Sequence, residues 1–184
     1  TARHVQQSLG GKIRHILDGG SCLIGVESTI LDLRDEPRPV LLRPGAITRR
    51  EIEAVLGSPV REARPVRPKA SRCAMPAPGL LSRHYSPHTL LRLHARVSPA
   101  MIARAPRHEA WLLRAKPPGK SGPNVFWLDA RGDARRAARR LFATLRTLDD
   151  AGWRCIHAEL ATGEHGPVTA INDRLARAAA KHRP

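Results

Sequence analysis

The fold depends most on the stretch Gly25–Ile47, whose sequence is GVESTILDLRDEPRPVLLRPGAI. Both ends of this stretch are rich in apolar and β-branched residues. Its middle segment, Asp35–Pro39, contains two prolines and cannot continue a ladder of strand hydrogen bonds. We therefore predict two short strands, one within Ser21–Leu33 and one at Val40–Leu42, joined by this charged loop.

Each predicted strand carries polar groups that an apolar strand does not need. Ser28 and Thr29 belong to the first strand, and Arg43 ends the second. Two hydroxyls and a guanidinium before a tight turn suit a phosphate, because the arginine fork matches phosphate oxygens and hydroxyls are adaptable donors. The same residues fit a surface hairpin in which Arg43 pairs with Asp32 or Asp35, and such pairs are common and weak. Spacing alone does not decide between these interpretations.

Two helices are predicted in the first third of the chain. Thr48 is a suitable N-cap, and Glu51 three residues later completes a capping box for a helix over Arg49–Leu56. A further helix is predicted over Ala2–Leu9, where the apolar spacing is close to the helical period until Gly10 interrupts it.

Composition excludes several classes of protein. No apolar run approaches the roughly 20 residues of a membrane helix, and no signal pattern is present, so we expect a cytoplasmic protein without a membrane partner. The three cysteines, Cys22, Cys73 and Cys155, form no CxxC pair, and the histidines lack a ligand spacing, so no metal site is expected. The net charge of +16 favours polyanions, but arginine is spread along the chain, which indicates non-specific RNA or tRNA affinity.

The second half of the chain alternates between strand and helix patterns after a proline-rich linker, Ser58–Leu81. Strands are predicted at Leu90–Leu93, Glu109–Arg114, Asn124–Leu128 and Arg154–Leu160, and helices from Ser98 to Ala105, over Asp133–Leu148 and over Ala170–Lys181. This alternation predicts a small, mostly parallel, three-layer α/β domain. His84 precedes Tyr85, the chain's single tyrosine, which could either dock in a pocket or seal a domain boundary.

Four separately spaced motifs together resemble one family. They are DGGxCxxGVESTxxD at Asp18–Asp32, LRPGxI at Leu42–Ile47, APGxxxxHYxP at Ala77–Pro87 and a C-terminal DRLxRAA within Ala170–Ala179. In this order they are similar to the C-terminal two-thirds of Sua5-type threonylcarbamoyl-AMP synthases. The resemblance covers nearly the whole chain.

The resemblance implies an α/β fold in three parts: an incomplete YrdC-like α/β domain at 1–58, an extended linker acting as a lid at 59–88, and a small Rossmann-like three-layer Sua5 domain at 89–184. It also implies a nucleotidyltransferase that uses L-threonine, bicarbonate and ATP, with Mg²⁺, to make threonylcarbamoyl-AMP and pyrophosphate. That product serves the t6A modification of tRNA, so the implied partners include proteins of the t6A pathway.

Carried onto this sequence, the resemblance assigns Thr29, with Ser28 beside it, to threonine, and Arg43 to an ATP phosphate. His84 and Tyr85 resemble the linker segment that covers the nucleotide. No catalytic residue is assigned. The family's KxR and SxN motifs would lie upstream of Thr1 and are absent, so we expect this chain to be inactive alone. Two alternatives stay open: a basic module binding double-stranded RNA without catalysis, and a regulatory domain whose contacts gate a lid.

Overall fold

The structure, a computed structural model, describes residues 1–34, 37–63, 87–163 and 167–180. We refer to residues 1–63 as the N-terminal part and to residues 87–180 as the C-terminal unit. In chain order the elements are α1 Ala2–Leu9, β1 Ile30–Asp32, β2 Val40–Arg43, α2 Arg49–Leu56, β3 Arg61–Glu62, β4 Leu90–His94, α3 Pro99–Arg104, β5 Glu109–Ala115, β6 Val125–Asp129, α4 Ala134–Asp150, β7 Cys155–Glu159 and α5 Val168–Ala179.

The N-terminal part contains a small sheet in the order β1-β2-β3. Strands β1 and β2 form the predicted antiparallel pair, with a bulge after Ile30, and β3 pairs with β2 in parallel within the region predicted to be linker. Strand β1 is shorter than predicted, because only Ile30–Asp32 pairs with a neighbour. The residues before it turn at Gly25, which has φ +81°, and approach helix α4 instead.

Helix α2 has the predicted bounds and the predicted cap. The Glu51 amide donates to the Thr48 hydroxyl (3.2 Å), and the Thr48 amide donates to the Glu51 carboxylate (2.7 Å). These hydrogen bonds from Thr48 lower the pKa of Glu51. Because the two residues satisfy each other's amide groups, the capping box sets where the chain enters the helix.

The C-terminal unit is built on a parallel sheet in the order β4-β7-β5-β6. Helices α4 and α5 cover one face, where the largest fully buried side chains lie: Leu112, Leu128, Leu141, Leu148, Ile156, Ile171 and Leu175. On the other face, Met101 and Ile102 of α3 pack against a second cluster. The predicted three-layer α/β architecture is therefore confirmed. None of the helices in the described ranges has the length and apolar character needed to cross a membrane.

Candidate functional site

Pairing of β1 with β2 brings the predicted arginine beside one of the predicted hydroxyls. Arg43 lies opposite Ile30 in the ladder. Its Nε donates to the main-chain oxygen of Ser28 (3.1 Å), and its Nη2 donates to the Ser28 Oγ (3.2 Å). Ser28 is exposed and Arg43 is half-buried. The guanidinium is thus held at the surface, at the residue that precedes Thr29.

The second hydroxyl is fixed by the turn that follows β2. Thr29 Oγ1 donates to the main-chain oxygen of Ile47 (2.7 Å). Gly45 packs directly on the same segment: a β-carbon at this position would lie 2.6 Å from the Ser28 carbonyl carbon and 2.7 Å from Thr29 Oγ1. A side chain would force the two segments apart, so the glycine of LRPG is required for this close approach.

The alternative in which Arg43 pairs with Asp32 or Asp35 can be examined at Asp32. Asp32 accepts hydrogen bonds from Arg34 Nε (2.9 Å) and Nη2 (2.7 Å). This arginine lowers the pKa of Asp32 to about 2. Asp32 therefore already has an arginine partner two residues along the chain. Asp35 lies outside the described residues.

Three consecutive residues attach the candidate site to the C-terminal unit. Gly25 touches the backbone of α4, where an added β-carbon would lie 2.8 Å from the Ala138 oxygen and would overlap Arg139. Val26 packs against the main core, and Glu27 binds Arg174 of α5 (2.5 Å). Each residue of the motif GVEST therefore has a structural partner, the first three within the C-terminal unit.

Arg174 is a residue that sequence reasoning did not assign. Only 4% of it is exposed, and its donors reach the Glu27 carboxylate, the Pro44 carbonyl oxygen (3.2 Å) and the carboxylate of Asp173. A signal was present in the sequence, since Arg174 follows Ile171 by three residues and therefore falls on the apolar face of its helix. A charge on that face requires a buried partner.

A cavity of about 290 Å³ opens beside the turn. Its lining includes Pro44, Gly45, Ile47, Arg49 and Thr169, so both parts of the chain contribute to it. The predicted residues Ser28, Thr29 and Arg43 are not among its described lining residues. The predicted lid residues His84 and Tyr85 lie outside the described residues, and the structure says nothing about their position.

The described residues contain no cluster of metal-binding side chains. Within residues 1–34, 37–63, 87–163 and 167–180, no group of three or more histidine, cysteine, aspartate or glutamate side chains could hold a metal ion. The donors that magnesium needs are carboxylate and other oxygen ligands in octahedral geometry. Magnesium is usually held by one or two carboxylates together with water and the phosphates of a substrate, so this finding does not test its use. The role of Mg²⁺ stays a prediction, and no chemical step below depends on it.

A second group of polar side chains lies in the C-terminal unit, on the sheet face that α3 partly covers. His157 is buried, with Nε2 3.0 Å from Glu109 Oε2 and Nδ1 2.8 Å from His94 Nε2. Trp111 stacks on His157 with ring centroids 4.3 Å apart. Burial lowers the pKa of His94, and the neighbouring His157 and Arg92 add to this effect.

Comparison with known proteins identifies relatives along the whole chain. Residues 47–180 match the family model described as threonylcarbamoyl-AMP synthase, C-terminal domain. The threonylcarbamoyl-AMP synthase of Pyrococcus abyssi is 36% identical over 195 residues, covering 97% of this chain and 53% of the relative. That of Schizosaccharomyces pombe is 32% identical over 197 residues, covering 97% and 48%. The chain thus spans about half the length of the curated relatives it matches.

Solved structures agree with these matches. The crystal structure of P. abyssi Sua5 complexed with L-threonine has a TM-score of 0.78 and 33% identity, covering 97% of this chain and 53% of that one. A P. abyssi Sua5 variant, with a histidine and the next residue, a tyrosine, replaced by alanine, has a TM-score of 0.75 and 32% identity, covering 97% and 52%. The chain belongs to the Sua5 family of threonylcarbamoyl-AMP synthases.

Proposed function

We propose that this chain takes part in the synthesis of L-threonylcarbamoyladenylate from L-threonine, bicarbonate and ATP, with release of pyrophosphate, for the t6A modification of tRNA. Membership of the family supports the reaction, and the relative solved with L-threonine supports one substrate. The observation that carries the proposal is the contact between Arg43 and Ser28, beside Thr29, on a segment anchored to the C-terminal unit.

In this proposal the hydroxyls and the arginine have separate tasks. Ser28 and Thr29 contact threonine, and Arg43 contacts a phosphate of ATP. Negative charge develops around the α-phosphate as pyrophosphate leaves, and a cation already fixed in place stabilises that charge without reorganising. Arg43 meets this requirement because its Nε and Nη2 are both bonded to Ser28. Because the guanidinium is held in this way, the directions of its in-plane N–H donors are set before a phosphate arrives.

The linker residues His84 and Tyr85 are proposed to cover the nucleotide. The solved variant with an adjacent histidine and tyrosine replaced shows that such a pair was singled out in the P. abyssi protein. In this chain Tyr85 is the single tyrosine, and it follows His84 directly. A carbamate intermediate decomposes in water, so a covering segment has a chemical purpose.

We expect this chain alone to bind a substrate but not to catalyse the complete reaction at a substantial rate. Large apolar side chains are exposed in its N-terminal part, including Leu17, Leu23 and Val55, which are 98%, 82% and 87% exposed. A concentration of exposed apolar side chains in one part of a chain is typical of a surface that contacts other protein. Because the chain spans about half of its relatives, the complete reaction is proposed to need residues beyond this sequence.

Calorimetric titration with ATP tests the role of Arg43. Replacing Arg43 by alanine is expected to weaken ATP binding about tenfold or more, since a charge-assisted contact to phosphate is lost. Arg104→Ala is the matched control, because it removes the same charge from an exposed position in α3. Equal affinities of the two variants would contradict the proposed phosphate contact. Pyrophosphate release should be measured in parallel, and rapid turnover by the chain alone would contradict its dependence on further residues.

One observation favours RNA binding as a second candidate function. A groove of about 1000 Å³ lies between the segment 21–27 and helix α4, and its lining includes Arg136, Arg139, Arg140 and Arg146. Exposed arginines along one helix attract the phosphates of a nucleic acid, and such binding weakens steeply with salt. RNA titrations at several salt concentrations, with the double variant Arg139→Gln/Arg140→Gln, test this function. A salt-independent affinity would contradict it.

A further inference from the structure

Arg174 touches both segments that form the candidate site, although it belongs to the last helix of the C-terminal unit. Its Nε donates to Glu27, the residue before Ser28, and its Nη2 donates to the carbonyl oxygen of Pro44, the residue after Arg43. Glu27 lies three residues before β1 and Pro44 directly follows β2, so the two contacts fall on the two chain segments that flank the antiparallel pair. One side chain thus bridges the two chain segments that carry the predicted substrate contacts.

We propose that Arg174 is a positioning residue: it holds the hydroxyl segment and the arginine turn in register, and it neutralises Glu27 beside the anion-binding arginine. The positioning role for substrate rests on the proposed function. Stability alone does not explain this arrangement, because burying an ion pair costs desolvation and an apolar side chain of similar volume is often as stable.

The geometric part of the proposal follows from the shape of the guanidinium. Three of its nitrogens reach three different partners, Glu27, Pro44 and Asp173. Because the donors lie in one rigid plane, fixing one partner fixes the directions of the others. A lysine keeps the charge but presents it as a single point, so it cannot hold the two segments at the same fixed angle.

The electrostatic part follows from the position of Glu27. Its carboxylate belongs to the residue next to Ser28, which Arg43 binds, so an unpaired Glu27 would repel a phosphate approaching Arg43. Arg174 occupies this carboxylate, while Asp173 accepts from both Arg174 and Arg177. The two cations and two carboxylates balance, so Glu27 adds no uncompensated negative charge beside Ser28.

Amide hydrogen exchange tests the geometric part without any ligand. Arg174→Lys is expected to speed exchange about tenfold in the segments 27–30 and 43–47, with little change in β5 and β6. Without the bridge, these two segments can open locally while the parallel sheet stays closed. Asp129→Asn is the matched control: Asp129 is also buried and also binds an arginine, Arg136, but it lies in β6. Its exchange changes should fall around β6 and α4. Unchanged exchange at 27–30 and 43–47 in Arg174→Lys would overturn the geometric part.

Calorimetry with ATP tests the electrostatic part. Arg174→Met is expected to weaken ATP binding about tenfold, and the double variant Arg174→Met/Glu27→Gln should recover part of the affinity, since the exposed negative charge is gone. No recovery would overturn this part. If Arg174→Met does not fold, ATP binding by Arg174→Lys and by the wild type is compared at low and at high salt instead. If Arg174→Lys binds ATP more weakly but its affinity depends on salt as that of the wild type does, the loss is due to geometry, and the electrostatic part is overturned. Failure of the wild-type chain to bind ATP would count against the proposed function, whereas the exchange result would still decide the bridging role.

Discussion

The N-terminal part and the C-terminal unit differ in how they cover their apolar residues. In the described ranges, the exposed large apolar side chains all lie between Val5 and Leu56. The buried apolar residues, apart from Leu41 and Val60, all lie between Leu91 and Ala179. The C-terminal unit therefore closes its own core, whereas the N-terminal part does not.

This difference explains where the candidate site gains its order. A three-stranded sheet with one strand of two residues has little core of its own. Its hydroxyl segment is held instead by Gly25, Val26 and Glu27, each against a structure of the C-terminal unit. The C-terminal unit, which has its own core, thus holds in place the segment of the N-terminal part that carries the polar side chains.

The largest effect that sharpens this comparison is expected from the core of the C-terminal unit. Leu141→Ala should lower the free energy of unfolding by about 3–5 kcal/mol, because the side chain is completely buried and a cavity remains. Leu17→Ala, at a residue that is 98% exposed, should change it by less than about 0.5 kcal/mol. Urea denaturation of both variants provides the measurement, and similar losses would show that the two regions are equally packed.

The next largest effect is expected from a substitution that disrupts the contact between the N-terminal part and the C-terminal unit. Gly25→Ala places a β-carbon into the backbone of α4 at a residue with φ +81°, so we expect a loss of about 3 kcal/mol. Gly119→Ala is the control, since its φ is also positive (+78°) but no atom lies within 4 Å of the added carbon. The control should show only the backbone strain, of about 1 kcal/mol. Thermal unfolding followed by circular dichroism would contradict the prediction if both variants lost the same stability.

A smaller effect concerns acid stability within the C-terminal unit. The Asp129 carboxylate accepts from Arg136 Nε (2.7 Å) and from the amides of Arg131 (2.9 Å) and Asp133 (3.0 Å). The Arg136 side chain, more than the backbone amides, holds the pKa of Asp129 well below its usual range.

The folded-state pKa is depressed, so this stabilisation is complete above the ordinary aspartate pKa of about 4 and is lost as pH falls below it. Asp129→Asn should therefore cost about 2 kcal/mol near neutral pH and progressively less in acid. Urea unfolding at a series of pH values checks this, with the exposed Asp150→Asn as control. A difference between wild type and Asp129→Asn that did not shrink in acid would contradict it.

The smallest effect belongs to the histidine pair. The pKa of His94 is lowered, first by burial, so the unfolded chain takes up its proton before the folded chain does as pH falls below about 6.5. Stability should fall in that range, and His94→Gln should reduce the fall in Tm between about pH 7.5 and about pH 5.5 by about 2 °C. The exposed His15→Gln should leave the slope unchanged. An identical slope for wild type and His94→Gln would exclude this contribution.

Local patterns predicted most of the fold. Three features depend on neighbours in sequence, and the structure has them: the capping box at Thr48 and Glu51, the antiparallel pairing of β1 with β2, and the alternation of strands and helices in the C-terminal unit. The first strand was predicted too long, because its apolar and β-branched residues do not show that Gly25 turns the chain onto α4. That contact joins residues more than a hundred positions apart, which periodicity cannot detect.

The candidate site was predictable in part for the same reason. The hairpin brings Arg43 to Ser28 through adjacent strands, and this grouping follows from local pairing. The pairing of Glu27 with Arg174 spans 147 positions. An arginine on the apolar face of α5 indicated that a partner exists, but it did not say which carboxylate that partner is. The roles of these residues in binding threonine and ATP stay predictions.

The hydrogen bond from Thr29 to Ile47 has a consequence for selectivity. A main-chain oxygen can only accept, so the single proton of the Thr29 hydroxyl is already committed to Ile47. Toward any ligand, Thr29 Oγ1 can then act only as an acceptor. An amino acid meeting this oxygen would approach it with a donor, such as its ammonium group, and would turn its carboxylate elsewhere, so one internal hydrogen bond excludes one end of the molecule from this atom.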